Sequence, residues 1–150
     1  MTDNDFQRLI QRFYGLQTER VETYRLFEDG HEAYLKSGPE YEFQNYKELV
    51  HEVTLTFNGI NKEIIEMKNR FREEYERPDL AEHLEKIQDF EKEKLELTAR
   101  LQIAKQNIQD HPSRETYEDE VQILKHKIIK TLEAISEVLQ DFKYDCEETQ

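Results

Sequence analysis

Phe43, Tyr46, Val50, Val53, Phe57, Ile60, Ile64, Met67 and Phe71 follow one another in alternating steps of three and four, without a gap. A strand turns its side chains over at every second residue, so only a helix gathers this set on one face. Sustained over about four heptads, the pattern is the seam of a coiled coil or long bundle helix. Such a stripe must lie against another, and the rest of the chain has to supply it.

Helix breakers concentrate at three places: KSGPEYEF around Gly38 and Pro39, ERPDL around Pro78, and QDHPSRE around Pro112. They divide the chain into four segments of about 30 residues, each on the order of 45 Å long if fully helical. The expected helices cover about 4–37, 42–76, 79–110 and 113–146 within a single domain, residues 1–150. Asp79 with Glu82 forms a plausible capping pair after Pro78, and Ser113 follows Pro112 where the fourth helix should begin. Asn45 with Glu48 offers a cap for the second helix, although Phe43 on the stripe argues for an earlier start. Short connections between helices of similar length favour antiparallel neighbours. The expected fold is all-α, four long helices as antiparallel hairpins in an elongated up-down-up-down bundle or coiled coil. Charged residues at 37% against 36% hydrophobic, with 4 Gly, 3 Pro and no Trp, fit narrow apolar stripes on solvated helices.

The other seams are less regular. The fourth segment runs Tyr117, Val121, Leu124 and Ile128, then resumes at Leu132, Ile135, Leu139, Phe142 and Cys146 after an extra step of four, which reads as a stutter. In the first, Phe6, Ile10 and Phe13 are separated from Tyr24, Phe27, His31 and Tyr34 by Gln17 and Arg20. In the third, Glu91 and Lys94 stand between Leu80, Leu84, Ile87 and Leu97, Leu101, Ala104, Ile108. In an up-down-up-down arrangement these interruptions fall at one height, predicting a polar layer of Arg20, Glu91, Lys94 and Thr131 with Arg20 paired to Glu91. Its role would be register and specificity, since a buried pair is weak evidence for stability. The alternative is that these side chains snorkel outward from a loosely closed bundle.

Glu28 with His31, and Glu48 with His51, repeat a Glu-x-x-His spacing that a di-iron carboxylate bundle uses on two of its helices. The other two helices offer only Gln102 and Leu101, and Gln122 and Val121, at the corresponding height. The ligand set is incomplete, so His31 is expected to pack among Tyr24, Phe27 and Tyr34, and no metal or cofactor is expected. Glycine-rich phosphate loops, Gly-x-Ser-x-Gly elbows, zincin motifs and Cys-x-x-Cys pairs are all missing from the sequence. Asp145, Glu147 and Glu148 should keep the single Cys146 protonated. The expectation is a protein without catalytic residues.

A formal net charge of -13, from 34 acidic against 21 basic residues, repels phosphate backbones and anionic headgroups and disfavours direct DNA binding. No apolar run reaches the length of a membrane span, and MTDNDFQRL lacks a secretory layout, so a nuclear or cytoplasmic location is expected. Two surfaces remain candidates for protein partners. Aromatic residues gather around the first helix and turn, Tyr14 and Tyr41 among them; Lys125, His126, Lys127 and Lys130 in KHKIIK form a local positive spot for an acidic helix or nucleic acid. The same seams could also close between two chains, leaving a homodimer open.

RFYGLQTERVETYRLFEDGHEAYL, YKELVHEVTLTFNGI, RPDLAEHLEKIQDFEKEKLELTARLQ and LKHKIIKTLEAISEVLQDFKYD, in this order, resemble the required-for-excision B domain family, from about Phe6 to Tyr144. The resemblance implies a place in DNA nucleotide excision repair and brings no catalytic residues. With the acidic balance it implies an adaptor or scaffold whose partners are excision-repair or transcription-factor components. A cytoskeletal or membrane-traffic coiled-coil adaptor is the rival reading.

Overall fold

The computed structural model describes residues 2–148. The chain is all-α, with four long helices packed in sequence as hairpins: α1 Thr2–Lys36, α2 Phe43–Glu73, α3 Pro78–Asp110 and α4 Glu115–Glu148. Two compact units result, α1 with α2 and α3 with α4, their boundary falling between Pro78 and Asp79. The helix limits follow the breakers, with local differences. Pro78 is itself the first residue of α3, where its missing N–H costs nothing, so Asp79 sits in the first turn rather than before it. Ser113 lies in a turn and α4 begins two residues later, at Glu115. For α2 the cap position is Glu42, which makes no side-chain capping bond; instead the Asn45 amide donates to the Glu42 carboxylate at 3.2 Å.

Antiparallel pairing in the first hairpin is fixed by ring contacts. Phe6 near the start of α1 meets Phe71 near the end of α2, edge-on with centroids 5.9 Å apart. Tyr24 meets Phe57 at 4.8 Å, and Tyr34 stacks on Tyr46 at 4.6 Å beside the turn. Burying each large apolar side chain contributes roughly 1.5–3 kcal/mol, and a well-oriented aromatic pair roughly 0.5–1.5 more. At the turn the Ser37 hydroxyl donates to the Tyr34 carbonyl at 2.6 Å and accepts the Glu42 N–H at 2.9 Å, tying the exit of α1 to the entry of α2. Gly30 marks a close approach of the helices, because a Cβ there would run into the Leu49 side chain. Past α2, Glu76 adopts φ 52°, a left-handed conformation that glycine enters more cheaply.

The α1 seam is continuous where the sequence suggested an interruption. Leu16 and Arg20 are both buried, at 1% and 2% exposure, and carry the stripe from Phe13 to Tyr24. At the other extreme of the α2 stripe, Phe43 is 60% exposed, and burial begins only at Val53.

In the second hairpin Leu97 and Ala104 of α3 cluster with Val121 and Leu124 of α4, flanked by Leu101, Ile108 and Ile128. The end of α3 thus lies against the start of α4. At the other end, His83 Nε2 lies 2.7 Å from an Asp145 carboxylate oxygen. The expected stutter in α4 does not occur. Burial follows Val121, Leu124, Thr131, Ile135, Val138 and Phe142, with Ile128 partly buried between, while Leu132 is 43% exposed. Thr131 can occupy a seam position because its hydroxyl donates to the Lys127 carbonyl one turn earlier, at 3.0 Å. The same device admits Thr98 in α3, bonded to the Lys94 carbonyl at 2.8 Å, and Thr23 in α1, bonded to the Glu19 carbonyl at 2.7 Å.

Candidate functional site

The two Glu-x-x-His pairs do not meet as ligands. Glu28, Glu48 and His51 are exposed, whereas His31 is buried with its ring 5.5 Å from Tyr46 and 6.1 Å from Tyr34. Among the described residues, no three His, Cys, Asp or Glu side chains converge as a bound metal would need. Tyr34 lies between two rings, stacked on Tyr41 at 4.9 Å as well as on Tyr46. Burial, and then the neighbouring Tyr34, pushes the Tyr46 hydroxyl above its ordinary pKa. Tyr41 therefore takes part in packing at the hairpin tip, while Tyr14, 37% exposed, keeps part of its ring in solvent.

Helical spacing divides the KHKIIK stretch. Lys125, His126, Lys127 and Lys130 are all exposed, but residues two apart do not share a helix face. Lys127 and Lys130, three apart, line one cleft of the second hairpin together with Arg100, Glu93, Glu96 and Phe90. Lys125 is not on that wall. Lys130 reaches Glu133 at 3.7 Å. The cleft mixes both signs of charge over the Leu97 and Thr131 floor.

The four residues of the expected polar layer have distinct surroundings. Arg20 donates to the Asn61 side-chain oxygen at 2.8 Å and to Gln17 at 3.2 Å, both within its own hairpin. Glu91 and Thr131 are buried at 8% and 5% exposure in the second unit, and Lys94 is half-buried.

Sequence reasoning missed two features. One is the His83 and Asp145 pair, sixty-two residues apart in the chain. Its Nε2 faces the carboxylate, and its Nδ1 is buried with no hydrogen-bond partner among the described residues. The other is a groove of 470 Å³ along the first hairpin, between Arg12, Leu16, Glu19 and Thr23 of α1 and Leu55, Gly59, Ile60 and Glu63 of α2. A signal for it was present, since Gly59 is an isolated glycine inside a helical pattern. Arg12 grips Glu63 with two hydrogen bonds, one of 2.8 Å, and reaches Glu19 at 3.8 Å. Those hydrogen bonds, opposed by partial desolvation and helped by charge, hold the Glu63 carboxyl below the usual carboxylate range and the Arg12 guanidinium above its own.

Long helical hairpins with solvated outer faces and charge-rimmed clefts define a class of helical protein. Within that class, the family model for DNA repair REX1-B matches residues 8–105. Over 147 residues the chain is 40% identical to a required for excision 1-B domain-containing protein of Bos taurus, covering 97% of this chain and 79% of that protein. The Mus musculus protein of the same description is 34% identical over 146 residues, covering 97% and 83%. The chain belongs to the REX1-B family. No solved structure gives a significant match. Among the described residues, no helix is long and apolar enough to cross a membrane.

Proposed function

We propose that this REX1-B protein is a non-enzymatic adaptor or scaffold in nucleotide excision repair, working in the nucleus through protein partners rather than through DNA. The observation that carries this reading is family membership, which places the chain in a group named for DNA repair. The physical character of the molecule supports the adaptor form of that role. With a net charge of -13 it repels a phosphate backbone. In the half-buried His83 and Asp145 pair, Nε2 faces the carboxylate and Nδ1 points into the protein. Its long helices leave side chains such as Leu26, Leu55 and Ile103 more than half exposed for contact with other proteins.

The test is proximity labelling with the tagged protein in cells, with and without ultraviolet damage. Excision-repair or basal transcription factors enriched among the neighbours after damage are the expected result. Filament or tethering proteins as neighbours, unchanged by damage, would replace the repair role with that of a cytoskeletal or membrane-traffic coiled coil.

A further inference from the structure

We propose that the groove between α1 and α2, floored by Leu16 and Ile60, flanked by Leu55 and Gly59 and rimmed by Glu19 and Glu22, docks a basic amphipathic helix of a partner protein. This rests on the adaptor reading and gives its partner a chemistry.

Four observations converge on the groove. Its walls are two helical stripes, Arg12, Leu16, Glu19, Thr23 on α1 and Leu55, Gly59, Ile60, Glu63 on α2. Together they run for about 17 Å at 1.5 Å per residue, enough for three turns of a guest helix. Leu55 is 57% exposed, a large apolar side chain left in water beside buried Ile60. Gly59, one turn further on, is the costliest residue short of proline to place inside a helix. Nothing in the chain explains that choice, because a Cβ at Gly59 would meet no atom within 4 Å. Gly59 is exposed on the groove wall, and the open space over it leaves room for another backbone or side chain.

Charge selects the guest. Glu19, Glu22 and Glu63 face a single groove cation, Arg12, whose guanidinium is already engaged by Glu63 and Glu19. Glu22 has Arg25 at 3.5 Å, but Arg25 is not part of the groove wall. A second copy docking face to face would set this acidic rim against itself, and an anionic lipid surface or nucleic acid would be repelled outright. Lysine and arginine flanking an apolar stripe satisfy both the rim and the floor.

The test uses the full chain and a labelled synthetic peptide of four helical turns, with leucine at i, i+4, i+7 and i+11 and lysine or arginine elsewhere. A scrambled peptide of identical charge controls for bulk attraction. The intact chain should bind the patterned peptide at least about ten-fold more tightly than the scrambled one. Gly59→Gln, which puts a long side chain of a good helix former into the groove, and Leu55→Glu should each abolish that preference while circular dichroism stays unchanged. Glu19→Lys with Glu22→Lys should weaken both peptides. Equal affinity for the two peptides, or a preference untouched by Gly59→Gln and Leu55→Glu, would overturn the proposal. Repair factors that remain labelled around the Gly59→Gln chain would likewise remove the groove while leaving the adaptor role standing.

Discussion

The two hairpins share a topology and close by different means. In the first, rings do most of the work: Phe6, Phe13, Tyr24, Phe27, Phe57 and Phe71 are buried, and several meet ring against ring. Arg20, its one buried cation among the described residues, is held by side chains three and forty-one residues away. In the second, the cluster joining α3 to α4 is aliphatic, and Thr98 and Thr131 occupy its seam by returning their hydroxyls to their own helices. Arg20 therefore links α1 to α2 through Asn61, whereas Thr98 and Thr131, like Thr23 in α1, return their bonds to their own helices. Losing Arg20 should consequently be felt on α2, while losing the Thr131 hydroxyl should stay within α4.

The largest expected effect is core truncation. Phe71→Ala removes a fully buried ring that contacts both Phe6 and Tyr75, and should cost about 3–5 kcal/mol in urea unfolding. Leu124→Ala in the aliphatic cluster should cost about 2–4 kcal/mol. Reversal of that order would break the contrast between the ring contacts of the first hairpin and the aliphatic cluster of the second.

Next in size comes the polar pair of substitutions. Arg20→Ala empties a buried site and strips Asn61 of a donor, for an expected loss of about 2–3 kcal/mol. Thr131→Val keeps the shape and gives up only a bond within the helix, so thermal unfolding should shift by no more than about 0.5 kcal/mol. A costly Thr131→Val would mean that the threonine serves the partner helix after all.

Glycines sharpen the comparison within the first hairpin. Gly59→Ala should raise stability by up to about 1 kcal/mol, because the added methyl meets nothing and the helix gains propensity. Gly30→Ala should forfeit that gain, since the methyl must displace Leu49 at the close approach of α1 and α2. Differential scanning calorimetry of the two variants reads the difference directly.

The smallest effect is the pH dependence of the Arg12 and Glu63 bond. A carboxyl whose folded pKa is lowered adds stability above its unfolded value, near 4.3, and loses it as pH falls through the folded value. Glu63 is 38% exposed, so after solvent screening the contribution should stay below about 1 kcal/mol. Glu63→Gln should therefore be less stable than the intact chain by this increment near neutral pH, and the two should converge in urea unfolding as pH falls below about 4.

Period and breakers made most of this legible. The α2 seam from Val53 to Phe71 is buried as spaced, and the three Pro-containing stretches mark the three connections. The failures share one cause, the equation of seam positions with apolar residues. Thr131 and Arg20 occupy seam positions because hydrogen bonds satisfy them, and those bonds depend on partners that hydropathy does not register. Leu132 and Phe43 fit an apolar pattern and stand in solvent, because spacing alone cannot say where a partner helix ends. The His83 and Asp145 pair was out of reach, since its members meet only through the register of α3 on α4. At the candidate surfaces, composition singled out KHKIIK, but helical geometry sends Lys125 away from Lys127 and Lys130.

The most direct measurement is an excision assay in nuclear extract immunodepleted of this protein, with a purified ultraviolet-damaged duplex as substrate. An adaptor should restore excision when the purified chain is added back, and should leave the same duplex unbound and chemically unchanged when incubated with it alone. Cleavage or tight, salt-sensitive binding of the damaged duplex by the purified chain, or excision indifferent to its removal, would contradict the proposed role.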